Sequence, residues 1–520
     1  MVNLDIIKEN IELEKSLGEN ILDTPFREDY LIPDTHPDVY KILSINVKPV
    51  IISREVQIDR VLLETQVEFD VIYLAKEENG VGVNNVCYKE KISNFIDVTG
   101  AEHRMLCDAE CELEHINTNI INERKINIEA YFRTKCTVFK SEIFEFVKDI
   151  DGAGDLQVKK KQDRIQKNIV NKSIDMTGKS QIKIPMDKPQ VGKIMKCSYI
   201  PHKKETKLFE DKMQTSCWVK VDLVYRAYES NELVVVEEEI ILSNEEEVLG
   251  LTNDMSALSD FRILNCEQRI SQDDLGESRI IDVEVTVETD VKVSKEEVIE
   301  VIDDAYSPTQ NITLNKEIYR MNITIGEGNS ESIIKDNIYL ENSDLDPIQL
   351  IDSQGKIVSL EGKLTDGKVI IEGIINVDTI YKSSDEIMPL GSISGEIPFG
   401  CTIEIPNAKE GMGCVIKGNI ESIQSNIEAN TIAVKTVVNC YAKVTDLIEK
   451  EYVKEVEYKE ELPLKKASII IYVIQEGDTL WDLAKRYNTT IESITKLNDI
   501  ENYENIEVGN KIIIPGRAII

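Results

Sequence analysis

One short signature recurs three times along this chain, and it limits the fold more than any other feature. Phe69-Asp70-Val71-Ile72-Tyr73, Val221-Asp222-Leu223-Val224-Tyr225 and Val377-Asp378-Thr379-Ile380-Tyr381 end in tyrosines spaced 152 and 156 positions apart. The flanks repeat as well. Ile32-Pro33 through Pro37, Val39, Lys41 and Ile42 parallels Ile184-Pro185 through Pro189, Val191, Lys193 and Ile194, again 152 positions on, and a remnant near Asp346-Pro347 stands in the third copy. Downstream, Cys111-Glu112 with Lys125 to Glu129 parallels Cys266-Glu267 with Arg279 to Glu284, and Asn419 to Ile423 with Thr431 to Lys435 completes the set. Repetition on this scale means three copies of one unit of roughly 120 to 150 residues, a length able to bury its own core.

The unit reads as mainly β. In the first copy Leu63, Thr65, Val67, Phe69, Val71 and Tyr73 alternate with Glu64, Gln66, Glu68 and Asp70. Val219, Val221, Leu223 and Tyr225 repeat that period of two, as do Val369, Ile371, Ile375, Val377 and Tyr381. Such alternation of β-branched and aromatic residues with polar ones marks a half-buried strand. Asp70, Asp222 and Asp378 then fall on the solvent side and serve solubility. The Ile-Pro-x-x-x-Pro-x-Val segments are expected to form a turn and one short helix. Composition places repeat one at 1–150, repeat two at 169–300 and repeat three at 301–447, with linkers at 151–168 (the run Lys159-Lys160-Lys161) and at 448–467, a charged, semi-flexible tether.

Residues 468–516 carry the sharpest local pattern. A short β-run, Ile471-Tyr472-Val473-Ile474, stops at Gly477. Asp478 or Thr479 is placed to cap a helix whose apolar face is Leu480, Leu483, Ala484 and Tyr487. A second helix opens at Thr490, with Ile491, Ile494 and Leu497 on one side, and Lys511 to Ile514 forms a closing strand after the turn at Val508-Gly509-Asn510. The order is strand, helix, helix, strand. Trp481 lies beside the apolar stripe rather than in it, where a tryptophan suits an interface anchor.

Charge and motif content restrict the chemistry. The formal net charge is −35, which disfavours nucleic acid and anionic lipid as partners. No apolar run approaches a membrane span, and charge interrupts the apolar residues near Met1, so no secretory signal is expected. The 10 cysteines include no Cys-x-x-Cys pair, and the 4 histidines fall in no ligand-like spacing. These read as reduced thiols in a cytosolic protein without a metal site. Met176-Thr-Gly178-Lys-Ser180 lacks the strand–loop–helix context of a phosphate loop. No catalytic residues and no cofactor are assigned, so an enzyme is the least favoured reading.

Two resemblances follow from these residues. The tail resembles a LysM domain through Tyr472, Gly477, Asp478, Thr479, Leu480, Ala484, Tyr487, Leu497, Asn498, Val508, Gly509 and Pro515. That family usually binds N-acetylglucosamine polymers, such as peptidoglycan, in a groove between two loops. On this chain the loops would be Gly477 to Leu480 and Asn498 to Ile506. The stretch Phe26 to Leu43 resembles the start of a SPOCS domain. SPOCS-like repeats followed by one LysM domain resemble the SipL-type family of clostridial spore coat morphogenetic proteins, with a looser likeness to SpoVID-type encasement proteins of bacilli. The resemblance implies three tandem SPOCS-like units and a small α+β LysM domain. It further implies a non-enzymatic scaffold in the cytoplasm of the mother cell, at the forespore surface. There it would bind the coat ATPase SpoIVA through LysM residues Gly477, Asp478, Thr479, Leu480, Trp481, Asn498 and Ile506. The alternative is a tether that binds N-acetylglucosamine glycan.

Overall fold

The computed structural model describes residues 5–77, 80–151, 155–230, 232–341, 345–385, 388–461, 469–500 and 507–515. Unit one is built from β1 (Asp5–Leu31), β2 (Val39–Gln57), β3 (Arg60–Glu77), β4 (Gly80–Asp97), β5 (Leu106–Asn122) and β6 (Lys125–Asp151). These form two three-stranded antiparallel sheets, ordered β1-β6-β5 and β2-β3-β4. The alternation in the sequence decides which faces meet. Val67, Phe69, Val71 and Tyr73 of β3 pack against Ile126, Ile128, Ala130 and Phe132 of β6, all essentially without exposure. The result is a β-sandwich whose centre strands supply the core.

The other two units repeat that plan. Unit two comprises β7 (Gln157–Lys183), β8 (Val191–Phe209), β9 (Lys212–Ala227), β10 (Leu233–Glu247), β11 (Ser256–Ser271) and β12 (Ile280–Tyr306). Unit three comprises β13 (Gln310–Tyr339), β14 (Pro347–Thr365), β15 (Lys368–Ser383), β16 (Leu390–Glu404), β17 (Gly413–Glu428) and β18 (Thr431–Glu461). Their sheets are β7-β12-β11 with β8-β9-β10, and β13-β18-β17 with β14-β15-β16. The triplication seen in the sequence is therefore a triplication of structure.

The three sandwiches share a core of their own. Leu43, Met195 and Ile351 come together there with Ile72, Val224 and Ile380. Both trios keep the spacing of 152 and 156 positions. Each unit thus offers the same position to its neighbours, which is what packing about a threefold axis produces.

A second junction was not legible in the sequence. Beyond Phe139, where β5 begins its pairing, β6 continues to Asp151 paired only with β1. The same two-stranded extension projects from units two and three. The three ribbons bury Ile11, Phe144, Phe146, Ile165, Ile299, Val301, Met321 and Tyr452 against one another. We call this the stalk. It corrects the two expected linkers: residues 157–168 lie in β7 and residues 448–461 lie in β18. The charge that suggested tethers is paired across strands. Lys159 and Lys161 reach Asp303, and Lys160 reaches Asp149 and Glu300. Lys454 pairs with Glu317, while the intervening Tyr452 and Val453 are 1% exposed. Residues 462–467 of the second expected linker lie outside the described residues.

Two smaller expectations are corrected as well. The Pro-x-x-x-Pro segments form turns, closed by His36 N–H to Pro33 O at 2.9 Å and Lys188 N–H to Pro185 O at 3.0 Å, and no helix. The second proline has no N–H, so the helical bond back to the first cannot form. Side chains bond the carbonyls of these turns instead. Tyr73 donates to Pro37 O at 3.0 Å and Tyr225 to Pro189 O at 2.7 Å. Arg124 donates to His36 O and Ile32 O, and Arg279 to Pro185 O and Lys188 O. Of the three recurring aspartates, Asp378 is exposed, but Asp70 and Asp222 are half-buried beside neighbouring units. Lys48 bridges Asp70 of unit one to Cys197 O of unit two.

Candidate functional site: the carboxy-terminal module

β19 (Ile469–Val473) and β20 (Lys511–Pro515) pair antiparallel, and α1 (Leu480–Arg486) and α2 (Ile491–Leu497) lie between them in sequence. Gly477 has φ +87°, a left-handed conformation that strains any side chain, so the chain reverses there into α1. Asp478 ties that turn to the strand: its carboxylate accepts from Gln475 N–H and from the Tyr472 hydroxyl, each at 2.8 Å. The Gln475 amide, then Tyr472, hold the Asp478 carboxyl below its ordinary range. Thr479 caps α1, accepting from Asp482 N–H at 3.1 Å and donating to the Asp482 carboxylate at 2.6 Å. Leu480, Leu483 and Ala484 are buried beneath. Thr490 caps α2 by accepting from Ser493 N–H.

Asn498 closes the other side. Its amide donates to Ile494 O and to Ile513 O, and its oxygen accepts from Ile513 N–H at 2.6 Å. It clips the end of α2 to β20. Leu497, expected on the apolar side, is 45% exposed. Ile506 lies outside the described residues.

Trp481 is placed differently from the rest. Its indole N–H donates to the Asp304 carboxylate at 2.9 Å, and its ring makes a T-shaped pair with Tyr306, centroids 5.0 Å apart. Lys485, one turn along α1, reaches the same carboxylate at 2.6 and 2.7 Å. Tyr306 is 5% exposed and belongs to the module's own core, with Ile474, Leu480 and Ile512. Burial raises the Asp304 pKa, but the bonds from Lys485 and Trp481 outweigh it and leave it below the usual carboxylate range. Both Asp304 and Tyr306 belong to β12. The module therefore sits at the stalk end of unit two.

Sequence reasoning missed Asp304, Tyr306 and Lys485. The signal lay in the repeat: Asp304 stands 155 positions after Asp149, and each accepts from the amide that follows it. Asp149 is engaged by Lys160, whereas Asp304 is left to the module.

Three β-sandwich units about a common axis, capped by a strand–helix–helix–strand module, define a multidomain repeat protein. Residues 38–121, 190–271 and 346–428 match the SipL, SPOCS domain family, and residues 472–515 match the LysM domain family. The three units are SPOCS domains of the SipL family, a family of sporulation and the spore coat, and the terminal module is a LysM domain. Neither family is catalytic. The chain is also similar to the cortical fragment-lytic enzyme of Bacillus subtilis (strain 168), with 47% identity over 45 residues in the LysM region. That match covers 9% of this chain and 10% of the enzyme, so the chain spans a tenth of that relative's length. No solved structure matches the chain. No helix among the described residues is long and apolar enough to cross a membrane.

Proposed function

We propose that the chain is a non-enzymatic scaffold for spore coat assembly. Its three SPOCS units form a stiff framework. Its LysM domain captures a protein partner, a coat ATPase of the SpoIVA type, at the forespore surface on the mother-cell side. The observation that supports this reading is how the groove-loop side chains are used. Asp478, Thr479 and Asn498 all spend their polar atoms inside the module. Few of these groups remain to meet sugar hydroxyls, while Trp481 and Lys485 form a side suited to polypeptide. Several contact surfaces on one frame also let weak attachments add up to firm encasement.

The test is capture from sporulating cells by the full chain and by Trp481→Ala. Loss of the partner from a variant that still melts cooperatively supports the reading, and capture at wild-type level sinks it. A second reading has one observation behind it, the 45-residue likeness to a cortical fragment-lytic enzyme. It is that the LysM domain tethers the chain to N-acetylglucosamine glycan. Chito-oligomer titration with micromolar binding would favour it.

A further inference from the structure

The Trp481 side of α1 is already occupied by the chain itself. We propose that this face is a recognition surface for an extended polypeptide segment bearing a carboxylate and, two residues on, an aromatic ring. Asp304-Ala305-Tyr306 of β12 fills it in cis. The inference rests on the reading that the LysM domain captures a protein, and it adds the chemistry of what is captured and the means of regulation.

Three features of the contact specify the ligand. An indole N–H and an ammonium converge on one carboxylate, a charge-assisted pair that a neutral acceptor satisfies less well. A second ring forms a T-shaped pair with the indole at an interplanar angle of 79°. Residues two apart on a strand point to the same face, so Asp304 and Tyr306 reach the module together while Ala305 turns away. An extended backbone with acid and aromatic at this interval is the template that the surface reads.

The polar half of the cis contact is open to exchange, and displacing it must also draw the buried Tyr306 ring out of the module. Side-chain exposure is 45% for Lys485 and 22% for Asp304, so solvent screens the ion pair and limits its strength. Asp149, the counterpart of Asp304 in unit one, is held by Lys160 and is not free to compete. A partner segment of the same chemistry would displace β12 from α1, and without it the face stays closed.

The experiment uses the full chain with Trp218→Phe, which leaves Trp481 as the one tryptophan of the two. Asp304→Lys with Tyr306→Ser opens the face. Leu483→Asp supplies the emission of an unfolded module for comparison. The opened chain should melt as a folded protein, show red-shifted Trp481 emission and be quenched by acrylamide several-fold more than the closed chain. The probe is a synthetic peptide with the sequence of residues 301–307. It should restore blue-shifted emission to the opened chain, bind the closed chain at least tenfold more weakly, and lose at least tenfold in affinity when its aspartate equivalent to Asp304 becomes asparagine.

Two outcomes overturn the inference. One is quenching in the opened chain equal to that of the closed chain. The other is an opened, folded chain that ignores the peptide, which reduces the contact to internal packing. Peptide binding without any capture of a coat protein would sink the proposed function and leave this surface standing. Capture of a coat protein by a chain that ignores the peptide would do the reverse.

Discussion

Lys196 of β8 meets Asp352 of β14 at 2.5 Å inside the core shared by the three units, with only 8% and 9% of their side chains exposed. The two positions are repeat equivalents, 156 apart, and the counterpart in unit one is Ser44. One place in the threefold pattern is therefore filled by a hydroxyl, a cation and an anion. Three identical units would bring like charges together there, or none. The divergence of the copies makes the order of the units part of the fold, tying unit two to unit three.

Lys196→Met should leave Asp352 buried without its partner, and the expected loss is about 3–5 kcal/mol. Lys196→Met with Asp352→Leu should recover much of that loss, because an apolar pair of similar volume suits the surrounding Met195, Val224, Ile351 and Ile380. Urea denaturation of the three proteins measures both quantities. A single variant as stable as wild type would show that the pair is not a link between units.

The β units could be read from the sequence because alternation shows directly in β3, β9 and β15, where one face is apolar apart from a buried threonine (Thr65, Thr215 and Thr379); that their sheets pair into sandwiches could not. The recurring tyrosine and the proline pair were visible too, though their link was not. In the fold the Tyr73 and Tyr225 hydroxyls sit on the Pro37 and Pro189 carbonyls. The stalk was hidden for a physical reason. Its strands bury a narrow seam, such as Tyr452 and Val453, between charged residues that pair across strands, so composition suggested a solvated tether. In the LysM domain the residue types at the caps and turns sufficed, since Gly477, Asp478 and Thr479 act locally. Trp481 stood out as lying off the apolar stripe, but the Asp304 it meets within the chain lies 177 positions away, beyond the reach of any local pattern.

The stalk should be acid-sensitive through Asp163. Its carboxylate accepts from Lys450 at 2.5 Å and from the Tyr452 hydroxyl at 2.7 Å, joining β7 to β18. Burial raises its pKa, and the bonds from Lys450 and Tyr452 outweigh that and set it below the ordinary value. A depressed carboxylate contributes stability that is present above its unfolded pKa of about 3.9 and is lost as pH falls through the lower folded value. Asp163→Asn should therefore cost about 1.5–3 kcal/mol near pH 6, the range for hydrogen bonds to a charged group. The gap between variant and wild type should close as pH drops below about 4. Melting temperatures measured from pH 6 to pH 3 check this, and a gap that is constant with pH would contradict it.

Leu483→Asp tests the register of α1. Leu483 is 0% exposed and packs with Ala484, Ile494 and Ile514, where no cation lies among the residues of that core. An aspartate there must either ionise in an apolar site or bury an unpaired acid, and both cost several kcal/mol. A module of this size has little stability to spare, so it should unfold while the SPOCS units keep their own transition. The contact between Trp481 and Asp304 should go with it, because α1 positions both Trp481 and Lys485. Tryptophan emission together with a two-step thermal melt would report the outcome. A variant whose module melts with wild-type cooperativity would show that residue 483 does not face the core.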